Sequence, residues 1–580
     1  MKSTLLFTLL ATTSTAHAIE FDVGPLLRGE PTTVSVTDGV PGHVIEIVRS
    51  SRPPVANATC PPVLGGACVD LVAPVRVASV EVSAQGLADH VVQVPAGLRP
   101  QHVWFQAIDR TTGGKSPVVH SRVLNVCSGT LRTDVPAHNA VLADCGRLEG
   151  DLFWSPLNGV MPELPWLQEI EWLLLIRPGA LAQEVSGLPR LRSANIVYVL
   201  DAPNLRRITG FGELRELEHV SLENIGELSR NDLLTAQVEP FSLSLERLPW
   251  LSSLTQLGPL PPLDDLGLRD IPLLVDLTGM HPAGVESFGL SLHDLPALQS
   301  LRGVSPPTGY LSLYTLNTAE LSDLSGLEGA VSAGLSVRNA PRITDFDVLS
   351  GLTTLSGLHL RDMESLTTIE HLSGAIGPDT SSVWLDGLPE LTSLAALDGL
   401  VSVEDLHLVD LPRVESLSPL AGLVGALPDF ELSGLTSLTS LDGLQGLVEI
   451  RHLDTSGAAI TSLDGLRGLV RADELIVSGS ALTSLDGLQG LVEIGYLLEI
   501  SDNPITSLDG LQGLVQVDDL IVSGNPLLTD VSALNGLEIA ETVVVRDNTA
   551  LCEDNMLLAM YGADITYGLD MGNNGICVYP

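Results

Sequence analysis

The chain has 580 residues, 44% hydrophobic and only 4% aromatic. Asp and Glu number 71 against 29 Lys and Arg, a formal charge of −42. That leaves no basic footprint for nucleic acid and disfavours an anionic membrane surface. A mean hydropathy of +0.30 with 17% charged residues argues against disorder. The length exceeds what one compact core supports.

Met1-Lys2, the apolar run Leu5 to Ala11 and Ala16-His17-Ala18 predict a secretory signal peptide over residues 1–18. The run is too short to span a bilayer. The mature chain is therefore expected to be exported: extracellular, at a cell surface or periplasmic. Residues 19–126 alternate short apolar runs (Thr33-Val34-Ser35-Val36, Val44 to Val48, Val103 to Ala107) with turn clusters such as Asp38-Gly39 and Gly113-Gly114. That pattern predicts a small β-sandwich of immunoglobulin type. The six cysteines fall into three local pairs, Cys60/Cys68, Cys127/Cys145 and Cys552/Cys577. Fifteen connectivities exist. Nearest-neighbour disulfides are the simplest arrangement for an exported chain, and free buried thiols are the plainer alternative. Asn57-Ala58-Thr59 matches a glycosylation sequon.

The remainder is a repeat. Ser440-Leu441-Asp442-Gly443-Leu444 recurs from Ser462, Ser484 and Ser507. Behind each copy lies a strand-like triplet such as Leu475-Ile476-Val477 or Leu520-Ile521-Val522. This template places strand starts at 152, 174, 197, 220, 243, 266, 290, 311, 335, 358, 383, 406, 430, 453, 475, 498, 520 and 543, eighteen turns of 23 residues on average. In each turn two apolar residues spaced by two point inward. A proline such as Pro203, Pro296 or Pro526 often ends the ladder six residues on. The Gly-rich return is too short for a stable free helix and fits a 3₁₀ turn. Four or five aliphatics per turn, each contributing roughly 1.5–3 kcal/mol when buried, make a shared core only when turns stack.

The pattern resembles bacterial leucine-rich repeats of the internalin type. It is closer still to receptor L-domain-like proteins, through Asn503-Pro504-Ile505-Thr506-Ser507-Leu508-Asp509-Gly510-Leu511 and Asn525-Pro526-Leu527-Leu528-Thr529. Cys127-Ser128-Gly129-Thr130-Leu131 with Cys145 to Leu152 resembles the opening of such domains. Cys552 and Cys577 around an apolar helix candidate, Met556–Met560, resemble a closing cap. The resemblance covers residues 127–580 and implies a mainly β fold. It would be a parallel, right-handed solenoid of about 18 rungs with an N-cap over 127–151 and a C-cap over 546–580. The chain departs from the family five positions after each strand start. Asn stands there only at Asn503, Asn525 and Asn548, while the middle turns carry Leu248, Ile271, Leu295, Leu316, Met363, Leu388, Leu411 and Leu435. A continuous asparagine ladder is not expected there, and packing must replace it.

Catalytic signatures are missing from the sequence: no G-x-S-x-G elbow, H-E-x-x-H or P-loop occurs. Asp345-x-Asp347 lacks the rest of a calcium loop. Two constellations remain. Asp442, Asp464, Asp486 and Asp509 form a column on consecutive turns. Each either caps a helical turn or joins its neighbours around a hard cation such as Ca²⁺. The second constellation faces the open side of the sheet: His293, Tyr310, Tyr314, Arg338, His359, Arg361, Trp384 and His407. In an aromatic-poor chain such residues offer large rigid contacts with polar handles. Flanking turns carry Ser242, Ser244, Glu246, Asp265, Asp429, Glu431, Asp454, Glu474 and Glu499 there.

These features lead to an exported, non-enzymatic recognition or adhesion protein without a cofactor, binding a protein or glycan of a cell envelope on the open face. The alternative is a structural envelope or matrix component, stiffened by calcium on the aspartate column.

Overall fold

The computed structural model describes residues 19–24, 26–55, 69–99, 101–112, 114–156, 161–234, 241–280, 286–304, 309–552, 563–572 and 574–575. The expected signal peptide, the sequon, Cys60, Cys68, Cys577 and the Met556–Met560 helix candidate lie outside these residues. The fold is mainly β, a solenoid of about 18 turns behind an N-terminal two-sheet module. Among the described residues no helix is long and apolar enough to cross a membrane. The chain forms two compact units. One runs from Ile19 to His219 and includes Ser229–Leu234; the other holds Val220–Leu228 and the chain from residue 241 onward.

The first unit opens with strands β1 (Glu20–Val23), β2 (Leu26–Leu27), β3 (Pro31–Thr37), β4 (Val44–Ser50), β5 (Val75–Glu81), β6 (Ala88–Gln93), β7 (Gln101–Asp109) and β8 (Val119–Ser128). β1, β3 and β6 make one antiparallel sheet. The other runs β5–β4–β7–β8, with β2 parallel to β8. Alternating residues of both sheets (Val34, Val36, Ile45, Ile47, Val103, Phe105) share one buried core, as the two-residue period dictates. The second half of β8 then pairs in parallel with Cys145–Glu149. One ladder thus passes from the sandwich into the coil, with no break at the sequence boundary of 126/127. A disulfide joins Cys127 to Cys145 at this passage, with Cα atoms 6.0 Å apart. Cys552 is disulfide-bonded as well.

In the coil, each turn lays one short parallel strand against the next, in register. After the strand, buried residues recur every third position. The turn from Val383 shows it: Val383, Leu385, Leu388, Leu391, Leu394, Leu397 and Leu400 are all inside. Seven buried aliphatics exceed the expected four or five, because the return segment packs inward along its whole length. Some of those returns are short 3₁₀ turns, for example Glu370–Leu372 and Asp464–Leu466; of the four Ser-Leu-Asp-Gly copies only the one at Asp464 is, and the others are plain turns. In the first unit a second short parallel sheet, Glu184–Val185, Arg207–Ile208 and Arg230–Asn231, lines the return side.

Two features correct the sequence reading. The turn placed at 311 starts at 313: Leu290 pairs with Leu313 and Leu313 with Leu335. Leu311 and Leu313 are both buried, so either satisfied the template. The residue five beyond is then Thr318, fully buried, and Leu316 faces the open side instead. The shift is by two, so Tyr310 and Tyr314 keep the face expected of them, and Leu316 is the residue that changes.

The second feature was not read from sequence. The residue four after the strand start has positive φ in sixteen successive turns: Asp201, Asn224, Arg247, Asp270, Asp294, Asn317, Asn339, Asp362, Gly387, Asp410, Gly434, Gly457, Gly479, Asp502, Gly524 and Asp547. Asp, Asn and Gly tolerate this left-handed conformation best. There the chain leaves the strand, and its N–H reaches a carbonyl of the next turn, as from Asp270 to His293 and from Asn339 to Arg361.

The asparagine ladder is real at the C-terminal end. The N–H of Asn503 donates to Asn525 Oδ1, that of Asn525 to Asn548 Oδ1, and that of Asn548 to Asn574 Oδ1. Asn574 extends the expected set by one. In the middle turns Leu388, Leu411 and Met363 fill the position with buried apolar volume. A side-chain relay one position earlier adds to this: Asn339 donates to Asn317, and Asn317 to Asp294.

Candidate functional site

All eight open-face candidates lie in the second unit, on six neighbouring strands: Ser287–His293, Tyr310–Leu316, Ser332–Arg338, Thr354–Arg361, Ser382–Asp386 and Asp405–Val409. In-register pairing sorts them into two columns. One reads Ser291, Tyr314, Ser336, His359, Trp384, His407. The other reads Arg269, His293, Leu316, Arg338, Arg361, Asp386. Tyr310 stands outside both, at its strand's entry. Its hydroxyl passes over Gly334 to Ser356 Oγ at 2.9 Å, a path that a Cβ at Gly334 would block.

Strand spacing sets the ring geometry. Parallel strands about 4.8 Å apart bring side chains of one column into face-to-face contact. His359 stacks on Trp384 at 4.9 Å and Trp384 on His407 at 4.6 Å, while His293 and Tyr314 stack diagonally, from one column to the other, at 4.8 Å. The Arg338 guanidinium lies 5.9 Å from the Tyr314 ring centre. The rings therefore stand like books on a shelf, edges outward. Within this packing Trp384 Nε1, His293 Nδ1 and Ser336 Oγ are buried without a hydrogen-bond partner.

The electrostatics divide along the face. Burial holds His293 below the ordinary imidazole range, and the Arg269 charge adds to this. Burial does the same for His359, helped by Arg338 and His407. Burial raises the Asp386 carboxyl, against the pull of Arg361, whose Nε lies 3.1 Å from Asp386 Oδ2. From the strand of His407 onward the face turns acidic. His407 sits between Asp429 (3.3 Å) and Glu431 (3.2 Å), and Arg451 approaches the same two carboxylates. His452 pairs with Glu474 at 2.7 Å, beside an open concavity of about 450 Å³ that Tyr496 and Asp473 also line. Burial, then a bond to and repulsion from Asp429, raises Asp405.

The aspartate column behaves as local turn chemistry. In each Ser-Leu-Asp-Gly copy the serine Oγ accepts the aspartate N–H: Ser440, Ser462, Ser484 and Ser507 at 3.1, 3.1, 3.0 and 3.3 Å. The serine, not the aspartate, is the capping acceptor. Asp442, Asp486 and Asp509 each take an N–H from the Gln three residues on, and Asp464 pairs with Arg467 at 2.7 Å. Among the described residues no group of three or more His, Cys, Asp or Glu could hold a metal ion.

A second ring cluster, in the first unit, escaped the sequence reading. His102 Nδ1 lies 2.8 Å from His120 Nε2, Trp104 stacks on His120 at 5.0 Å, and Trp166 meets His102 and His120 edge-on. Arg190 caps Trp166 at 4.6 Å. Burial, with the His102 and Arg190 charges, holds His120 low. Its members come from β7, β8 and two later loops, and no spacing in the sequence announces them. No protein-family model matches the chain, and neither does any curated protein.

Proposed function

We propose that this chain is an exported, non-enzymatic recognition protein of bacterial leucine-rich-repeat or L-domain-like type, with a right-handed coil, that binds a macromolecular partner on the open sheet face. One observation carries the reading: the candidate residues lie on six adjacent strands and pack into a rigid ring ladder flanked by arginines. Immobile aromatic and arginine side chains lose little entropy on contact, which is what binding hot spots require. The leader-like N-terminus and the Cys127–Cys145 disulfide support export to an oxidising compartment. A role in adhesion at a cell surface follows from the same features.

The test is the triple change Arg338→Ala, Arg361→Ala and Trp384→Ala in the full chain, assayed for attachment to envelope preparations and to intact cells. Lost attachment at an unchanged melting temperature supports recognition. Attachment equal to that of the unaltered chain rejects it in favour of a structural envelope component.

A further inference from the structure

We propose that the partner of the open face is an acidic polypeptide segment, bound in extended form across the strands between Arg269 and Arg338. The inference rests on the recognition reading above and adds the partner's chemistry.

The first support is an ion-pair inventory. In the second unit every arginine faces a carboxylate within ion-pair distance except Arg269, Arg302 and Arg338, among the described residues. Arg269 and Arg338 belong to one column of the open face, three strand steps apart. In a chain with 71 acidic residues, two cations on one face left without acids mark where an outside carboxylate would complete the pairing. Charge-assisted bonds from guanidinium to carboxylate are the strong ones.

The second support is ring orientation. Within the stretch His293 and Tyr314 stack on each other, with the Arg338 guanidinium 5.9 Å from the Tyr314 ring centre, and beyond it both faces of Trp384 are covered, by His359 and by His407. A sugar ring is gripped by an open aromatic face, and the centre of this ladder offers none. It offers ring edges, which carry the positive end of the aromatic quadrupole and attract oxygen acceptors. Both features favour carboxylate and carbonyl oxygens over a stacked pyranose.

The third is extent. Asp265 and Glu246 bound the stretch on one side; on the other Arg361 is already paired with Asp386, and Asp405, Asp429 and Glu431 lie beyond. Three strand steps span about 14 Å, which an extended segment covers in about four residues. The partner should therefore carry acidic residues about four apart.

The experiment is selection of a displayed library of random twelve-residue peptides on the full chain. A parallel binding measurement uses oligogalacturonate as the acidic-glycan probe. Enrichment of Asp- and Glu-bearing peptides that lose affinity about tenfold or more for the Arg269→Ala, Arg338→Ala double variant, and more steeply as salt is lowered, is the expected result. Enrichment of neutral or basic peptides overturns the proposal. So do acidic peptides held equally by the double variant, binding of oligogalacturonate alone, or enrichment of nothing. Each of these leaves the attachment assay with the triple variant to judge the recognition reading separately.

Discussion

At the scale of single residues, the Ser-Leu-Asp-Gly copies show what a repeat enforces. At Gly487, φ is +114° and an added Cβ would stand 2.0 Å from the carbonyl oxygen of Leu463 in the preceding turn. The left-handed backbone and the inter-turn approach both demand glycine. Gly487→Ala is expected to lower stability by about 3 kcal/mol or more, read as a fall in the urea midpoint. Gly351→Ala serves as the control, since its Cβ would meet nothing within 4 Å. It should shift the midpoint little, and equal losses at the two sites would refute the packing account. The recurring Asp of this motif carries less: its carboxylate is held by a side chain three residues on and sits at the surface. The column of left-handed residues was not legible because Asp, Asn, Gly and Arg share no hydropathy. What they share is a tolerated conformation, visible only once φ is known.

At the scale of the turn, two devices satisfy the backbone where it leaves the sheet. Near the C-terminal end Asn525 accepts from the Asn503 N–H and donates to the Ile500 carbonyl, fully buried. Asn525→Ala strands both groups, and about 2–3 kcal/mol of stability should go with them. Calorimetry would check this, and a change below half a degree in melting temperature would contradict it. In the middle turns, buried leucines take over, so a Leu388→Ala change acts through cavity formation instead. The 23-residue period was legible because leucine repeats at fixed spacing; the 3₁₀ return was legible only in part, since Asp464–Leu466 forms one and the other three copies make plain turns. The position of the turn at 313 was not, since two buried leucines two residues apart fit one template equally. Pairing with both neighbours decides between them. The open-face set survived that error because face depends on parity alone. Its stacking and its free arginines were beyond reach, as both depend on which side chains become neighbours across turns.

At the scale of the whole molecule, acid should weaken the fold before carboxylates titrate. His120, His293 and His359 are all held below their ordinary range, chiefly by burial. Their unfolded forms take up protons first as pH falls, so the unfolded state gains. The stabilisation is complete above an imidazole's ordinary value near 6.5 and is lost progressively below it. Melting temperature should therefore drop between about pH 7 and pH 5, and His359→Gln should flatten part of that slope. A curve level over this window would contradict the assignment. Below that window the lowered carboxylates Asp323, Asp345 and Asp530, held down by backbone N–H donors, add their own loss.

The passage of β8 into the coil has one more effect. The N-terminal module occupies the hydrogen-bonding edge of the first coil strand, Cys145–Glu149. A chain trimmed to begin at residue 129 would present a bare row of amides and carbonyls along Cys145–Glu149, the template on which sheets of different molecules join. Light scattering should then find the trimmed protein in oligomers or fibres and the full one dispersed. The sandwich would thus act as a stopper: it keeps an endlessly extendable ladder from continuing into its neighbour.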